Sequence, residues 1–461
     1  MRSNATSRRR FCCLACAGAA TLAAASVVPL SGAQAASGGI VLLRDAETET
    51  LLRNFADPLF RAAGIDPGLV RILLVRDDAI NSFVTTGNRM VLFSGMIHEA
   101  SDASEVVGVM AHETGHIFEG HLVLLPEEER RAFIEAIAGM LLSAAAGAAS
   151  GSAGVGVAGA LGSQHIATRN LLAFTRDMEA QADAAAMRFL DELHWSAAGF
   201  LELLRTLEGE ESLITANQDP YVQTHPLTRD RIAFVAHHVA TSPWSKAPLP
   251  AGFDARYALM RAKLDAFLTP SSVTLARVKA GDPSAPARYA RAIALYRLGH
   301  TQPALALLAG LEKDDPANPW FHELEGQVRF DGGNPRASLA PYEEAVRLAP
   351  GAQLIRGELA RAMVETGDPA LLRPAVDQLQ IAIAAAPDEA PFWRTLADAY
   401  GRLGEIPRAQ LASAEAAMAL GDIPLAKGFA LAALKRLPAG PQRQRAQDIS
   451  NATRKENLEG F

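Results

Sequence analysis

Three residues inside one helical turn have the types and spacing to hold and use a metal ion: His112, Glu113 and His116, in the run His112-Glu113-Thr114-Gly115-His116. On a helix, positions i and i+4 lie one turn apart on one face, so both imidazoles can reach a single ion. Glu113 stands beside them, placed to take a proton from an attacking water without being a ligand. The flanking residues Val106, Val107, Val109, Met110, Ile117 and Phe118 are apolar. A buried helix carrying two imidazoles and a carboxylate must satisfy them internally, which argues against a solvated face with two scattered histidines. Zinc, one ion per chain, suits these ligand types, although other divalent ions accept the same donors.

A catalytic zinc keeps three protein ligands and one open position, so a third ligand has to come from elsewhere. A three-histidine arrangement would need glycine at 119 and histidine at 122, where this chain has Glu119 and Leu122. His121 falls nine residues after His112, on the far side of a continued helix, and is expected to be structural. Glu179 is the better candidate. It lies in a helical run with Ala180, Ala182, Ala184, Ala185 and Ala186, and small neighbours let one helix approach another closely. Asp183, one turn on, shares its face and can accept the free ring N–H of a ligating histidine. The alternative is a solvated acidic edge.

The elements that must position these groups follow from periodicity. Leu51, Leu52, Phe55 and Leu59 predict a helix over Glu47–Gly64, and Val70–Val75 reads as a strand. A second strand-like region spans Asn81–Ser94, split near Thr86-Gly87-Asn88. Asp102 and Glu105 form a capping-box signature before a helix from about Ala103 to about Leu122. The Glu179 helix is expected over Ile166–Leu190, with further helices from Arg229 and over Arg256–Phe267. Between them, residues 136–164 carry no charge and include seven glycines. The glycines weaken any continuous membrane span; an interfacial or lid-like segment in peripheral membrane contact and a plain flexible loop both remain open.

Beyond residue 272 the punctuation repeats. Pro316, Pro350 and Pro387 are 34 and 37 apart, and Gly299, Gly333, Gly367 and Gly404 are 34, 34 and 37 apart. Both series lengthen by three at one place, which an insertion near Leu371–Arg373 explains. With Tyr296-Arg297-Leu298-Gly299 and Ala304, the pattern resembles tetratricopeptide helix pairs. The expected division is a signal at 1–35, a metallopeptidase domain at 36–268, repeats at 272–438 and a frayed polar tail at 439–461.

Arg8, Arg9 and Arg10 precede an uncharged stretch from Phe11 to Leu30, and Ala33-Gln34-Ala35 offers small residues for cleavage. Ser7-Arg8-Arg9-Arg10-Phe11 also resembles a twin-arginine signal; an uncleaved anchor is the alternative. All three cysteines lie in this segment, so the exported chain would hold no disulfide and no cysteine-ligated metal. Removing four arginines and no acid moves the formal charge from −7 to −11. No broad basic surface is left for nucleic acid.

The His112-Glu113-x-x-His116 helix, the Glu179-x-x-x-Asp183 helix and Thr224-His225-Pro226 with Arg231 together resemble one zinc peptidase family, which includes the heat-shock membrane protease HtpX and the CAAX prenyl endopeptidases. The resemblance implies a mainly α (α+β), gluzincin-type domain with a small β-sheet, followed here by an all-α solenoid. It implies His112, His116 and Glu179 as zinc ligands and Glu113 as base. His225 would stabilise an oxyanion or take the open zinc position at rest, and Arg231 would hold a carboxylate or the substrate; a capped loop before a helix is the plainer alternative for both. It also implies a substrate edge strand within Asn81–Ser94, placed at Met90, Val91, Leu92 and Phe93. The expected function is a periplasmic zinc endopeptidase acting on misfolded or unassembled polypeptides in outer-membrane quality control, with the barrel assembly machinery as a partner of the repeats. The competing function is a chaperone or adaptor with proteolysis secondary.

Overall fold

The computed structural model describes residues 41–124, 176–213, 225 and 227–452. The expectations for the export signal, the 136–164 segment, Thr224, Pro226 and the start of the Glu179 helix lie outside the described residues. Among those residues, no helix is long and apolar enough to cross a membrane.

Helix α1 (Ala46–Ala62) starts where the Asp45 carboxylate accepts the Thr48 N–H at 2.8 Å, and it buries Leu51, Leu52, Phe55 and Leu59. Four strands follow the order β1-β2-β4-β3: β1 (Leu42–Leu43), β2 (Arg71–Val75), β3 (Ser82–Thr85) and β4 (Arg89–Phe93). The three-residue hairpin loop Thr86-Gly87-Asn88 between β3 and β4 places Gly87 at φ +75° and Asn88 at φ +52°, both left-handed. β4 pairs in parallel with β2 on one side and antiparallel with β3 on the other. The expected edge strand Met90–Phe93 is therefore an inner strand, with all four residues buried. Ser82–Thr85 forms the edge, and apolar content alone cannot distinguish the two.

After the short α2 (Ser94–Glu99), the Asp102 carboxylate caps α3 (Ala103–Phe118) by accepting the Ser104 N–H at 2.8 Å. Helix α3 stops four residues before the expected Leu122. Gly120 takes φ +67°, a left-handed reversal that favours glycine, and the chain restarts as α4 (His121–Leu124). Helix α5 (Arg176–Glu192) crosses α3 at close range. A Cβ on Gly115 would lie 2.6 Å from the Ala182 carbonyl oxygen, so the glycine inside the His-Glu-Thr-Gly-His run lets the two helices touch. Helices α6 (Ala198–Leu213) and α7 (Arg229–Thr241) complete the shell, and a single core joins these elements.

Helix α8 (Phe253–Leu268) faces two ways. Tyr257, Met260 and Leu264 enter the first core, whereas Leu259 and Ala266 enter the core of the first repeats. After α9 (Ser271–Arg277), four helix pairs follow: α10/α11 (Ala285–Arg297, Thr301–Asp314), α12/α13 (Pro319–Asp331, Pro335–Leu348), α14/α15 (Gln353–Glu365, Pro369–Ala385) and α16/α17 (Ala390–Arg402, Ile406–Ala419). The four repeated glycines sit between the helices of each pair with φ between +72° and +80°. The three-residue lengthening falls in α15, which has 17 residues where α11, α13 and α17 each have 14. Of the expected frayed tail, residues 439–452 are described, and they continue the helical stack. After α18 (Ile423–Leu434), α19 (Pro441–Asn451) buries Ala446 and Ile449 against it.

A polar knot joins the two parts. The Lys263 ammonium on α8 lies 2.6 Å from Asp45 and 3.6 Å from Glu47 at the start of α1, and 3.0 Å from Glu323 on α12. The Tyr289 hydroxyl on α10 donates to Glu47 at 3.0 Å.

Candidate metal centre

Helix α3 presents His112, Glu113 and His116, and α5 brings Glu179 across the Gly115–Ala182 contact. His225 precedes α7 and is buried. One ligand atom from each of His112, His116, Glu179 and His225 lies within 4.8 Å of the other three. The two α3 imidazoles approach Nε2 to Nε2 at 3.1 Å, and Glu179 lies 3.3 Å from His112 and 3.4 Å from His116. His225 points Nδ1 into the same space, 3.1 Å from Glu179 and 3.4 Å from His112.

Each ring uses its other nitrogen outward. His112 Nδ1 lies 2.9 Å from the Asp183 carboxylate, which can only accept, so a neutral ring with its proton on Nδ1 turns the Nε2 lone pair inward. His225 Nε2 lies 3.2 Å from the Ser82 carbonyl on β3 and donates to it, leaving Nδ1 as the inward lone pair. His116 Nδ1 lies 2.9 Å from His121 Nδ1. The left-handed Gly120 has therefore returned His121 to the ligand cluster, away from the far side expected for an unbroken helix. Phe200 stacks on the His112 ring at 5.6 Å.

Arg231 faces the carboxylates of the site. Its guanidinium holds Asp183 through Nε at 2.7 Å and through a second nitrogen at 2.9 Å, and it reaches Glu179 at 2.6 Å. It is buried, and both of its anchored partners are carboxylates of the site. Burial works to raise Glu179, but His225 and Arg231 outweigh it and hold the carboxyl well below its ordinary range. Asp183 is likewise lowered against burial by Arg231 and His112. Burial pushes His116 down to about 3, keeping it neutral. At His112 burial again opposes charge, yet Asp183 and Glu179 prevail and lift the ring to about 9.

These groups fit a divalent cation. Ring nitrogens and a buried anion converge on one point, and the electrostatics at His112 favour positive charge there, which a bound cation would supply in place of a ring proton. The donor set of imidazoles and one carboxylate suits zinc. Glu113 sits beside the cluster. Its Oε1 accepts the Ser82 hydroxyl at 2.8 Å, and its Oε2 is buried with no hydrogen-bond partner among the described residues. Sequence reasoning missed Ser82, and it set His121, whose far nitrogen Nε2 lies 3.2 Å from the Gln181 side chain, on the wrong side of the helix. The place of His121, five residues past His116 and just after Gly120, was the available signal.

Comparison with known proteins agrees with this architecture. Residues 43–239 match the model of peptidase family M48, and residues 283–420 match a tetratricopeptide repeat model. The chain is similar to the beta-barrel assembly-enhancing protease of Yersinia pestis, with 26% identity over 384 residues covering 81% of this chain and 76% of that protein. The protein of the same name from Escherichia coli K12 is 23% identical over 388 residues, covering 81% and 76%. The mitochondrial metalloendopeptidase OMA1 of Schizosaccharomyces pombe is 26% identical over 162 residues, covering 34% of this chain and 43% of that one. The chain is a metallopeptidase whose M48-family domain is followed by tetratricopeptide repeats.

Proposed function

We propose that this protein is a zinc-dependent endopeptidase of the cell envelope that cleaves misfolded or unassembled polypeptides, in the outer-membrane quality control suggested by its relatives' names. The observation that carries the reading is the convergence of His112, His116, Glu179 and His225 beside a buried, half-partnered Glu113. In this reading His112, His116 and Glu179 are the resident ligands. Zinc held there supplies Lewis-acid polarisation of the scissile carbonyl and makes water a nucleophile near neutral pH. Glu113 takes the proton of the attacking water on Oε2 and passes it to the leaving amine. Asp183 orients His112, and Arg231 holds Asp183 and Glu179 in place.

The sheet edge suggests how substrate lies. The Phe93 N–H donates to the Asn81 carbonyl at 3.0 Å. Antiparallel pairs alternate, so in this register Ser82 and Val84 turn their backbone groups away from β4. An extended substrate would add there as a fifth strand, read through main chain more than side chain. His225 turns Nδ1 into the cluster beside Glu179 and holds the Ser82 carbonyl through Nε2. It acts as a resting cap that an incoming strand must displace.

The test is Glu113→Gln in the exported full chain, assayed on an unfolded casein with and without chelator. Cleavage should fall by about 10²–10⁴-fold with one zinc per chain retained. Undiminished cleavage by the variant would overturn the reading. The adaptor reading keeps the repeats as a partner surface for the barrel assembly machinery. It would prevail if Glu113→Gln fully restored envelope assembly in cells lacking the protein.

A further inference from the structure

The three inward-facing imidazoles differ in what holds their outer nitrogens. His112 has the carboxylate of Asp183, and His225 has the carbonyl of Ser82. Both partners can only accept. His116 instead faces another imidazole, His121, which could either donate or accept. His121 is fully buried, with its ring centroid 5.0 Å from that of His116 and the planes at 70°. Its far nitrogen Nε2 lies 3.2 Å from the Gln181 side-chain oxygen on α5.

We infer that Gln181 and His121 form a proton-holding relay that fixes the tautomer of His116. An amide oxygen only accepts, so His121 places its single N–H on Nε2 toward Gln181. Its Nδ1 is then a lone pair and accepts the N–H of His116 Nδ1. That leaves the His116 Nε2 lone pair aimed at the cluster, 3.1 Å from His112 Nε2 and 3.4 Å from Glu179. With the opposite proton arrangement, His116 would have a proton where a ligand needs a lone pair. His121 is a positioning residue, and it acts by setting where a proton resides. Helix α5 contributes twice to the same ion, directly through Glu179 and at second remove through Gln181, two residues on.

The inference rests on the zinc reading and is separable from it. The measurement is zinc affinity of the full exported chain, by competition with a chromophoric chelator, for wild type and three variants. His121→Leu fills the space without an acceptor and should weaken zinc by about 10- to 100-fold, the usual loss when an outer partner of a ligating histidine is removed. His121→Asn puts an amide oxygen near the place of Nδ1 and should stay within a few-fold of wild type. Gln181→Leu should fall between them. Unfolding of the metal-stripped forms controls for damage to the fold, and His121→Leu should match wild type there. Wild-type affinity in His121→Leu, or equal losses in the Leu and Asn variants, would overturn the relay while leaving the zinc reading intact. A wild-type chain that takes up no zinc would overturn both.

Discussion

The cluster around His112 and the knot around Lys263 are both buried and both rich in carboxylate, and they differ in what supplies the positive charge. At Lys263 the cation is built in. Burial opposes its charge, but Asp45 and Glu323 outweigh that and raise the ammonium well above its ordinary range. Asp45 is lowered in turn, against burial, mainly by Lys263. The knot takes its cation from the chain itself. Around His112 the guanidinium of Arg231 is spent on Asp183 and on one side of Glu179. Among the described residues, the inward nitrogens approach one another and Glu179. A buried cluster completed by its own lysine acts as a fastener, whereas one that leaves lone pairs converging is a site for something from outside.

The largest test of that contrast is Lys263→Met, which keeps the aliphatic stem and removes the ammonium. Breaking a buried ion pair from one side costs roughly 3–5 kcal/mol, because Asp45, Glu47 and Glu323 lose their shared cation. The denaturant midpoint should drop accordingly, while zinc content stays at the wild-type level. An unchanged midpoint would mean that the carboxyls simply take up protons, and that the knot is as open to an outside cation as the histidine cluster.

The two regions were unequally legible in the sequence. The metal-site candidates share short spacings: His112 and His116 are one turn apart, and the alanines around Glu179 foretold a close helix contact now seen between Gly115 and Ala182. The repeats were legible for the same local reason, since a left-handed glycine and a proline two residues past the second helix recur at fixed intervals. The knot was not legible. Asp45, Glu47, Lys263, Tyr289 and Glu323 are scattered along the chain, and only tertiary packing brings them together. Sheet order failed likewise, because Met90–Phe93 and Ser82–Thr85 both read as strands and long-range pairing with β2 decides which is inside. His121 was misplaced by one residue's conformation, since extending the helix through Gly120 turns its ring the wrong way.

A pH series sharpens the comparison by a smaller amount. Burial pushes Glu47 up from its ordinary 4.5 to about 8, with Lys263 opposing and Asp45 adding to the rise. Between those values the folded chain binds more protons than the unfolded chain. The stabilisation is therefore fully present below about pH 4.5 and is lost as pH rises through about 8. Its size is on the order of a few kcal/mol. Glu323, also raised by burial, contributes with the same sign, whereas the lowered Asp45 acts only at more acidic pH. Unfolding midpoints from pH 5.5 to 8.5 should fall more steeply for wild type than for Glu47→Gln. Parallel slopes would remove Glu47 from the account.

The smallest expected effect isolates burial itself. Arg71 at the start of β2 donates to Asp388, just before α16, at 2.8 Å. The pair therefore bridges the same two parts of the molecule as the Lys263 knot, yet both side chains are exposed. Water screens such a pair and its long side chain loses rotamer freedom, so a double-mutant cycle of Arg71→Ala and Asp388→Ala should give a coupling of about 0.2–1 kcal/mol. The coupling should shrink further at high salt. If it instead matched the loss in Lys263→Met and resisted salt, the strength of the knot would come from linking two domains, and exclusion of water around its charges would no longer be the reason that one cluster fastens and the other receives a metal.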